Sequence, residues 1–206
     1  MRGVIISAGT VSDYEYIRSL IEDGDYIVCA DGGLSHCRKM GLSPNLILGD
    51  FDSLKEPLTD DGTEILTFPA EKDYSDTHMA VMEAKQRGCD SFLLVGCSGT
   101  RLDHTLSNIG LLESLRREGY SAKLVDRNNI MFSAEKRQLI HEKPGINISF
   151  IPVDSVKGLT LKGFKYPLEK ADIDLFHSVW LSNVLEEEVG EVTFDSGVLI
   201  VDISND

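Results

Sequence analysis

Four short segments of this 206-residue chain concentrate side chains that could do chemistry. In Ala30-Asp31-Gly32-Gly33 and Gly49-Asp50-Phe51-Asp52-Ser53, aspartates stand beside glycines. Asp50 and Asp52 are two positions apart, so in an extended segment both carboxylates point the same way. Carboxylates held together repel unless a cation sits between them. Oxygen ligands with no His or Cys nearby favour magnesium over zinc. An isolated Asp-x-Asp is more often a solvated turn, but the glycines suit sharp turns and close approach to a ligand. The third segment, Lys72-Asp73-Tyr74-Ser75-Asp76-Thr77, adds two acids. Asp73 suits a helix N-cap, and Asp76 suits either the positive end of a helix or a further metal carboxylate. The fourth runs Gly96-Cys97-Ser98-Gly99-Thr100-Arg101-Leu102-Asp103-His104. A glycine-bearing loop entering a helix offers N–H groups to phosphate, and the fork of Arg101 fits phosphate oxygens. No Gly-Lys-Ser/Thr follows, so this is not a Walker A loop. His104 reads equally as a surface residue or a ligand, and Asn108, one turn on, shares its face.

The elements that must position these residues follow from pattern. Apolar, β-branched runs at 4–8, 26–30, 45–48, 64–68, 92–95 and 122–125 read as strands. Between them, 12–22, 33–40, 75–87 and 106–117 read as helices. Ser12 is placed to cap the first, with Glu15 at capping-box spacing, and Met79, Val81 and Met82 supply apolar contacts in the third. Such alternation predicts a parallel sheet covered by helices. Ligands of an open parallel sheet bind beyond the carboxyl ends of its strands, which puts all four segments on one rim. After about residue 130 the pattern changes. Short strands at 138–141, 147–151, 159–161, 179–181, 191–194 and 198–201 follow one another, split by turn residues such as Pro144-Gly145 and Ser196-Gly197. No convincing helix intervenes, so an antiparallel sandwich or barrel-like domain is expected. The expected division is therefore an α/β, Rossmann-like domain over 1–129 and an antiparallel β-sandwich or barrel-like domain over 130–206.

Composition narrows the function classes. A formal net charge of −14 argues against nucleic acid and anionic membranes, both bound through Lys and Arg on phosphate. The longest apolar runs are strand-sized, far below a bilayer span. Met1-Arg2-Gly3-Val4 enters such a run without the longer apolar stretch of a signal peptide, so a cytoplasmic location is expected. Cys29, Cys37, Cys89 and Cys97 form no CxxC pair and read as small buried hydrophobes.

Taken together, the segments resemble the thiamine pyrophosphokinase family. The likeness runs through Asp31-Gly32-Gly33, Gly49-Asp50-Phe51-Asp52-Ser53, Lys72-Asp73-x-x-Asp76 and Gly99-x-Arg101-x-Asp103-His104-x-x-x-Asn108. It continues at Gly163-Phe164-Lys165-Tyr166-Pro167-Leu168 and Ser182-Asn183. Ser75 stands where the family more often has Thr, and Trp180 lies in a variable neighbourhood. The resemblance implies an N-terminal nucleotide-binding domain, a C-terminal thiamine-binding sandwich, and a homodimer with active sites between subunits. It also implies conversion of ATP and thiamine to AMP and thiamine diphosphate with magnesium. By that likeness Asp31, Asp50, Asp52 and Asp76 match the metal and pyrophosphate site. Arg101, Asp103, His104 and Asn108 match the nucleotide side, and Ser182 the thiamine side. Either Asp52 or Asp76 is suited to accept the hydroxyl proton. Trp180 reads either as a cation–π partner of thiamine or as a core residue. A metal-dependent phosphohydrolase or nucleotidyltransferase would explain the acids but not the β half. A sensor that binds without turnover ranks third.

Overall fold

Val4, Ile5 and Ile6 have no exposed surface, and Leu46, Ile47 and Leu48 are equally buried. Strands covered on both faces read as continuous apolar runs, as these do. In the computed structural model, residues 1–50, 62–68 and 73–205 are described. The chain divides into two units, Met1–Arg127 and Asn128–Asp206.

In the first unit the strands are β1 (Arg2–Ile6), β2 (Tyr26–Ala30), β3 (Leu46–Gly49), β4 (Glu64–Thr67), β5 (Ser91–Val95) and β6 (Ser121–Val125). They lie in the order β6-β5-β1-β2-β3-β4, and every pair is parallel. The helices are α1 (Tyr14–Ser19), α2 (Gly33–Lys39), α3 (Asp76–Gln86) and α4 (Leu102–Arg117). Among the described residues no helix is long and apolar enough to cross a membrane.

The helix boundaries correct several expectations. α1 is shorter than 12–22, and its cap is Asp13, whose carboxylate accepts from the Tyr16 N–H at 2.9 Å, rather than Ser12. In α3 the buried stripe is Thr77, Ala80, Val81 and Ala84, while Met82 is exposed. Small residues at i, i+3, i+4 and i+7 let the helix lie close on the sheet, so the larger methionines are not the ones that face it. Ser75, not Asp73, caps α3, accepting from the His78 N–H. α4 starts a full turn before 106, which moves Asp103 and His104 from a loop into the helix. Its buried positions Asn108, Leu111, Leu112 and Leu115 keep helical spacing.

The second unit is antiparallel throughout. Its strands are β7 (Asn129–Ser133), β8 (Arg137–His141), β9 (Asn147–Pro152), β10 (Val156–Lys162), β11 (Leu168–Ile173), β12 (Asn183–Val184), β13 (Val189–Thr193) and β14 (Leu199–Ser204). They run as β12-β9-β14-β7 and as β11-β10-β13-β8, two layers around one apolar core. Phe150 and Phe164 meet edge to face within it, ring centroids 5.1 Å apart. Of residues 179–181, expected as a strand, Val179 and Trp180 instead belong to a 3₁₀ turn, Ser178–Trp180, and Leu181 follows it in extended conformation. β11 escapes pattern reading because Leu-Glu-Lys-Ala-Asp-Ile is charged, as suits an edge strand, and β12 is only two residues long.

Candidate functional site

Strand order decides where the site lies. β2, β3 and β4 lie to one side of β1, and β5 and β6 to the other. The chain leaving β1 therefore turns one way and the chain leaving β5 the other. Between their carboxyl ends a crevice opens, the point where such sheets bind ligands. A cleft of about 350 Å³ occupies this place, within the range of small-ligand sites. Its walls are residues 7–10 after β1, Asp31 after β2, 75–77 at the start of α3, and 96–101 after β5, with His104, Thr105 and Asn108 of α4.

Asp31 is held in an unusual backbone state, with φ at +47°. That region costs a non-glycine residue energy, though less for Asp, and such strain clusters at functional sites. Its N–H donates to the Leu48 carbonyl at 2.7 Å, and a Cβ on Gly49 would come within 3.2 Å of the Asp31 Cα. The ends of β2 and β3 are thus packed together, with Asp50 directly following. Asp76 sits in the first turn of α3, where the capping bond comes from Ser75, and its neighbour Thr77 meets the buried Ser7 hydroxyl at 2.9 Å.

On the opposite wall, Arg101 makes a two-pronged pair with Asp103, Nη2 to Oδ2 at 2.6 Å and Nε to Oδ1 at 3.2 Å. The Arg101 fork holds the Asp103 carboxyl down to about 2. This pair is exposed, so water screens it and an incoming phosphate can compete for the guanidinium. Asn108 is buried, and its amide donates to the Cys97 carbonyl at 2.8 Å, holding the loop after β5.

Of the residues expected from sequence, the cleft brings together Asp31, Asp76, Arg101, His104 and Asn108. Asp103 and Asp50 are not among its walls: Asp103 faces Arg101, and Asp50 lies one strand further out. Asp52 and Lys72 lie outside the described residues. Among the described residues no group of three or more His, Cys, Asp and Glu is gathered closely enough to form a metal centre. Two rim carboxylates nonetheless fit magnesium, which is usually held by one or two carboxylates with water and substrate phosphate completing its shell. Sequence reasoning missed Ser7, Gly9 and Thr10; the rim rule applied to β1, as it was to the later strands, would have found them.

Within the second unit, the two sequence pieces at 163–168 and 182–183 are tied to each other. Asn183, 4% exposed, accepts from the Tyr166 N–H at 3.0 Å and donates to the Tyr166 carbonyl at 2.8 Å. Ser182 has φ at +54°, and its N–H donates to the Ser149 hydroxyl. Trp180 packs partly against the core of this unit, and its buried indole N–H has no hydrogen-bond partner among the described residues.

Rim carboxylates, a glycine-bearing loop and an arginine at a sheet's switch point are the groups with which an α/β enzyme would handle phosphate. Comparison with known proteins makes this particular. Residues 17–124 match the thiamin pyrophosphokinase catalytic domain, and 136–199 match the thiamin pyrophosphokinase vitamin B1 binding domain. A thiamine pyrophosphokinase of Bacillus subtilis is 33% identical over 173 residues, 81% of each chain. A crystal structure of thiamine pyrophosphokinase from that organism superposes with a TM-score of 0.88 at 27% identity, covering 100% of both chains. One from Geobacillus thermodenitrificans gives 0.85 at 29%, covering 100% of this chain and 98% of the other. The chain belongs to the thiamine pyrophosphokinase family, and its function is that of a pyrophosphokinase acting on thiamine.

Proposed function

We propose that the cleft between the ends of β1 and β5 is the catalytic site, and that it binds ATP with magnesium and delivers pyrophosphate to thiamine. The observation that carries this reading is the pairing of Asp31 and Asp76 with Arg101 in one cleft at the switch point. In the reaction, the thiamine hydroxyl oxygen forms a bond to the β-phosphorus. The bond from that phosphorus to the oxygen bridging it to the α-phosphorus breaks, and AMP leaves with that oxygen. Thiamine diphosphate is the other product. The hydroxyl proton passes to a rim carboxylate; Asp76, a cleft wall, and Asp52 are the two suited to take it. Such a transfer depends on positioning and charge neutralisation more than on covalent chemistry from the protein.

Asp31 and Asp76 of the cleft, with Asp50 and, by the likeness of sequence, Asp52, would hold magnesium. Bound there, it supplies positive charge to the phosphate oxygens. Arg101, drawn from Asp103 to the phosphates, and His104 and Asn108 form the nucleotide side. The loop after β5 lines the triphosphate. Ser182 serves the thiamine side, and thiamine's ring is a cation. The acidic balance of the chain favours that cation.

A homodimer with thiamine sites between subunits fits the row of exposed apolar side chains Leu175, Phe176, Val179 and Leu181, of which Phe176 is 91% exposed. Four buried free cysteines suit a reducing cytoplasm. Light scattering is expected to give twice the chain mass for the wild type and a shift toward monomer for Phe176→Asp. A wild type that is monomeric at micromolar concentration defeats the dimer reading.

The reaction itself is tested by incubating the purified chain with ATP, magnesium and thiamine, and following products by chromatography. Equimolar AMP and thiamine diphosphate are expected. ADP with thiamine monophosphate, or AMP formed without thiamine, would contradict the proposed transfer.

A further inference from the structure

The loop after β1 is fixed from two directions, and one of them runs through a residue with no part in the chemistry so far. The Gly9 N–H donates to the Gly96 carbonyl and the Thr10 N–H to the Ser98 carbonyl, both at 2.7 Å. A Cβ on Gly9 would come within 2.3 Å of the Ser98 carbonyl oxygen, so only glycine permits this approach. These bonds join the two loops that wall the cleft. On the other side, the Gly9 carbonyl is 2.8 Å from Nε2 of His36 in α2. A carbonyl only accepts, so Nε2 carries the proton. His36 Nδ1 lies 2.8 Å from the Tyr14 hydroxyl of α1, which then donates to it. Burial pushes the His36 imidazole below its ordinary value, consistent with a neutral ring in this tautomer.

We propose that His36 is a positioning residue for the reaction: relayed from Tyr14, its bond to the Gly9 carbonyl holds the 7–10 loop against the 96–101 loop and sets the spacing of the cleft walls. It rests on the reading of this cleft as the catalytic site. Without the bond, the Gly9 carbonyl loses its imidazole partner and the wall it belongs to is anchored on one side only. A displacement of about 1 Å far from the reacting atoms can cost on the order of 100-fold in rate.

The test compares steady-state kinetics and melting temperature for His36→Gln, His36→Leu and Tyr14→Phe, with Asp76→Asn as a control on the site. Leucine fills the space without a donor. Glutamine can donate to Gly9 and accept from Tyr14. The expected result is a kcat lowered roughly 10- to 100-fold in His36→Leu with KM for thiamine little changed. His36→Gln should recover most of that loss, and Tyr14→Phe should fall between the two. A role in stability alone would lower the melting temperature but leave kcat per folded molecule unchanged well below it. Wild-type kcat in folded His36→Leu, or equal impairment in the glutamine and leucine variants, overturns the proposal. If His36→Leu does not fold, wild-type kcat in Tyr14→Phe overturns it instead. Full turnover in Asp76→Asn would remove the cleft reading and this inference with it. Loss in Asp76→Asn with full activity in the His36 variants would remove only the inference.

Discussion

Asp76→Asn is expected to lower thiamine diphosphate formation by roughly two to three orders of magnitude, the scale seen when one preorganised electrostatic group is lost. The cap of α3 should survive. Ser75, not Asp76, caps α3, and removing a first-turn acid costs only about 0.3–1 kcal/mol through the helix dipole. Asparagine keeps the shape of the side chain and removes its charge and its capacity to take a proton. If Asp76 acts through magnesium, raising the metal concentration should restore part of the rate. If it acts as the proton acceptor, added metal should not help. Turnover, magnesium titration and circular dichroism on the same preparation check this. A folded Asp76→Asn variant with wild-type kcat would place the chemistry elsewhere on the rim.

Gly33→Ala is expected to damage the fold more than any other single methyl group considered in the first unit. A Cβ at Gly33 would sit 1.9 Å from the Ile6 carbonyl oxygen and 2.6 Å from its carbon. Both partners are backbone, α2 on one side and the end of the central strand on the other, so neither can swing aside. Overpacking usually costs about 1–3 kcal/mol and occasionally more. Here a loss of roughly 3 kcal/mol or more is expected, near 10 °C in melting temperature for a chain of this size. Gly110→Ala supplies the contrast. Gly110 is an exposed residue of α4, and nothing lies within 4 Å of where its Cβ would be. Alanine there should stabilise by about 0.5–1 kcal/mol through helix propensity. Thermal melts of the two variants beside the wild type decide the matter. Equal melting temperatures would mean that α2 can lift off β1 at little cost.

Much of the scaffold was legible because it rests on local signals. Val4-Ile5-Ile6 and Leu46-Ile47-Leu48 announce buried parallel strands by composition alone, and the alternation with helices announces the sheet. The change to short strands after about residue 130 was equally visible. What failed were elements whose form depends on neighbours. Val179-Trp180-Leu181 has strand composition, yet the structure has a 3₁₀ turn at Ser178–Trp180. Met79 and Met82 are the larger apolar residues of α3, but close packing on the sheet selects the alanines instead. Local propensity is a weak prior, and tertiary contacts override it.

The site shows the same division. By itself the sequence determined which chemistry was available: acids beside glycines after β2 and β3, an arginine in a glycine-bearing loop after β5, and the family to which their conjunction belongs. Those are properties of residue type and spacing along one chain. Only the tertiary structure decided that β1 and β5 are neighbours, and therefore where the sheet opens. That adjacency joins residues about 90 positions apart, and it brings in Ser7, Gly9 and Thr10, which carry no acid to draw notice. It also turned Asn108 into a brace for the Cys97 carbonyl and gave His36 a hold on Gly9. Hydrogen bonds of this kind depend on distances between distant segments, and spacing along the chain does not contain them.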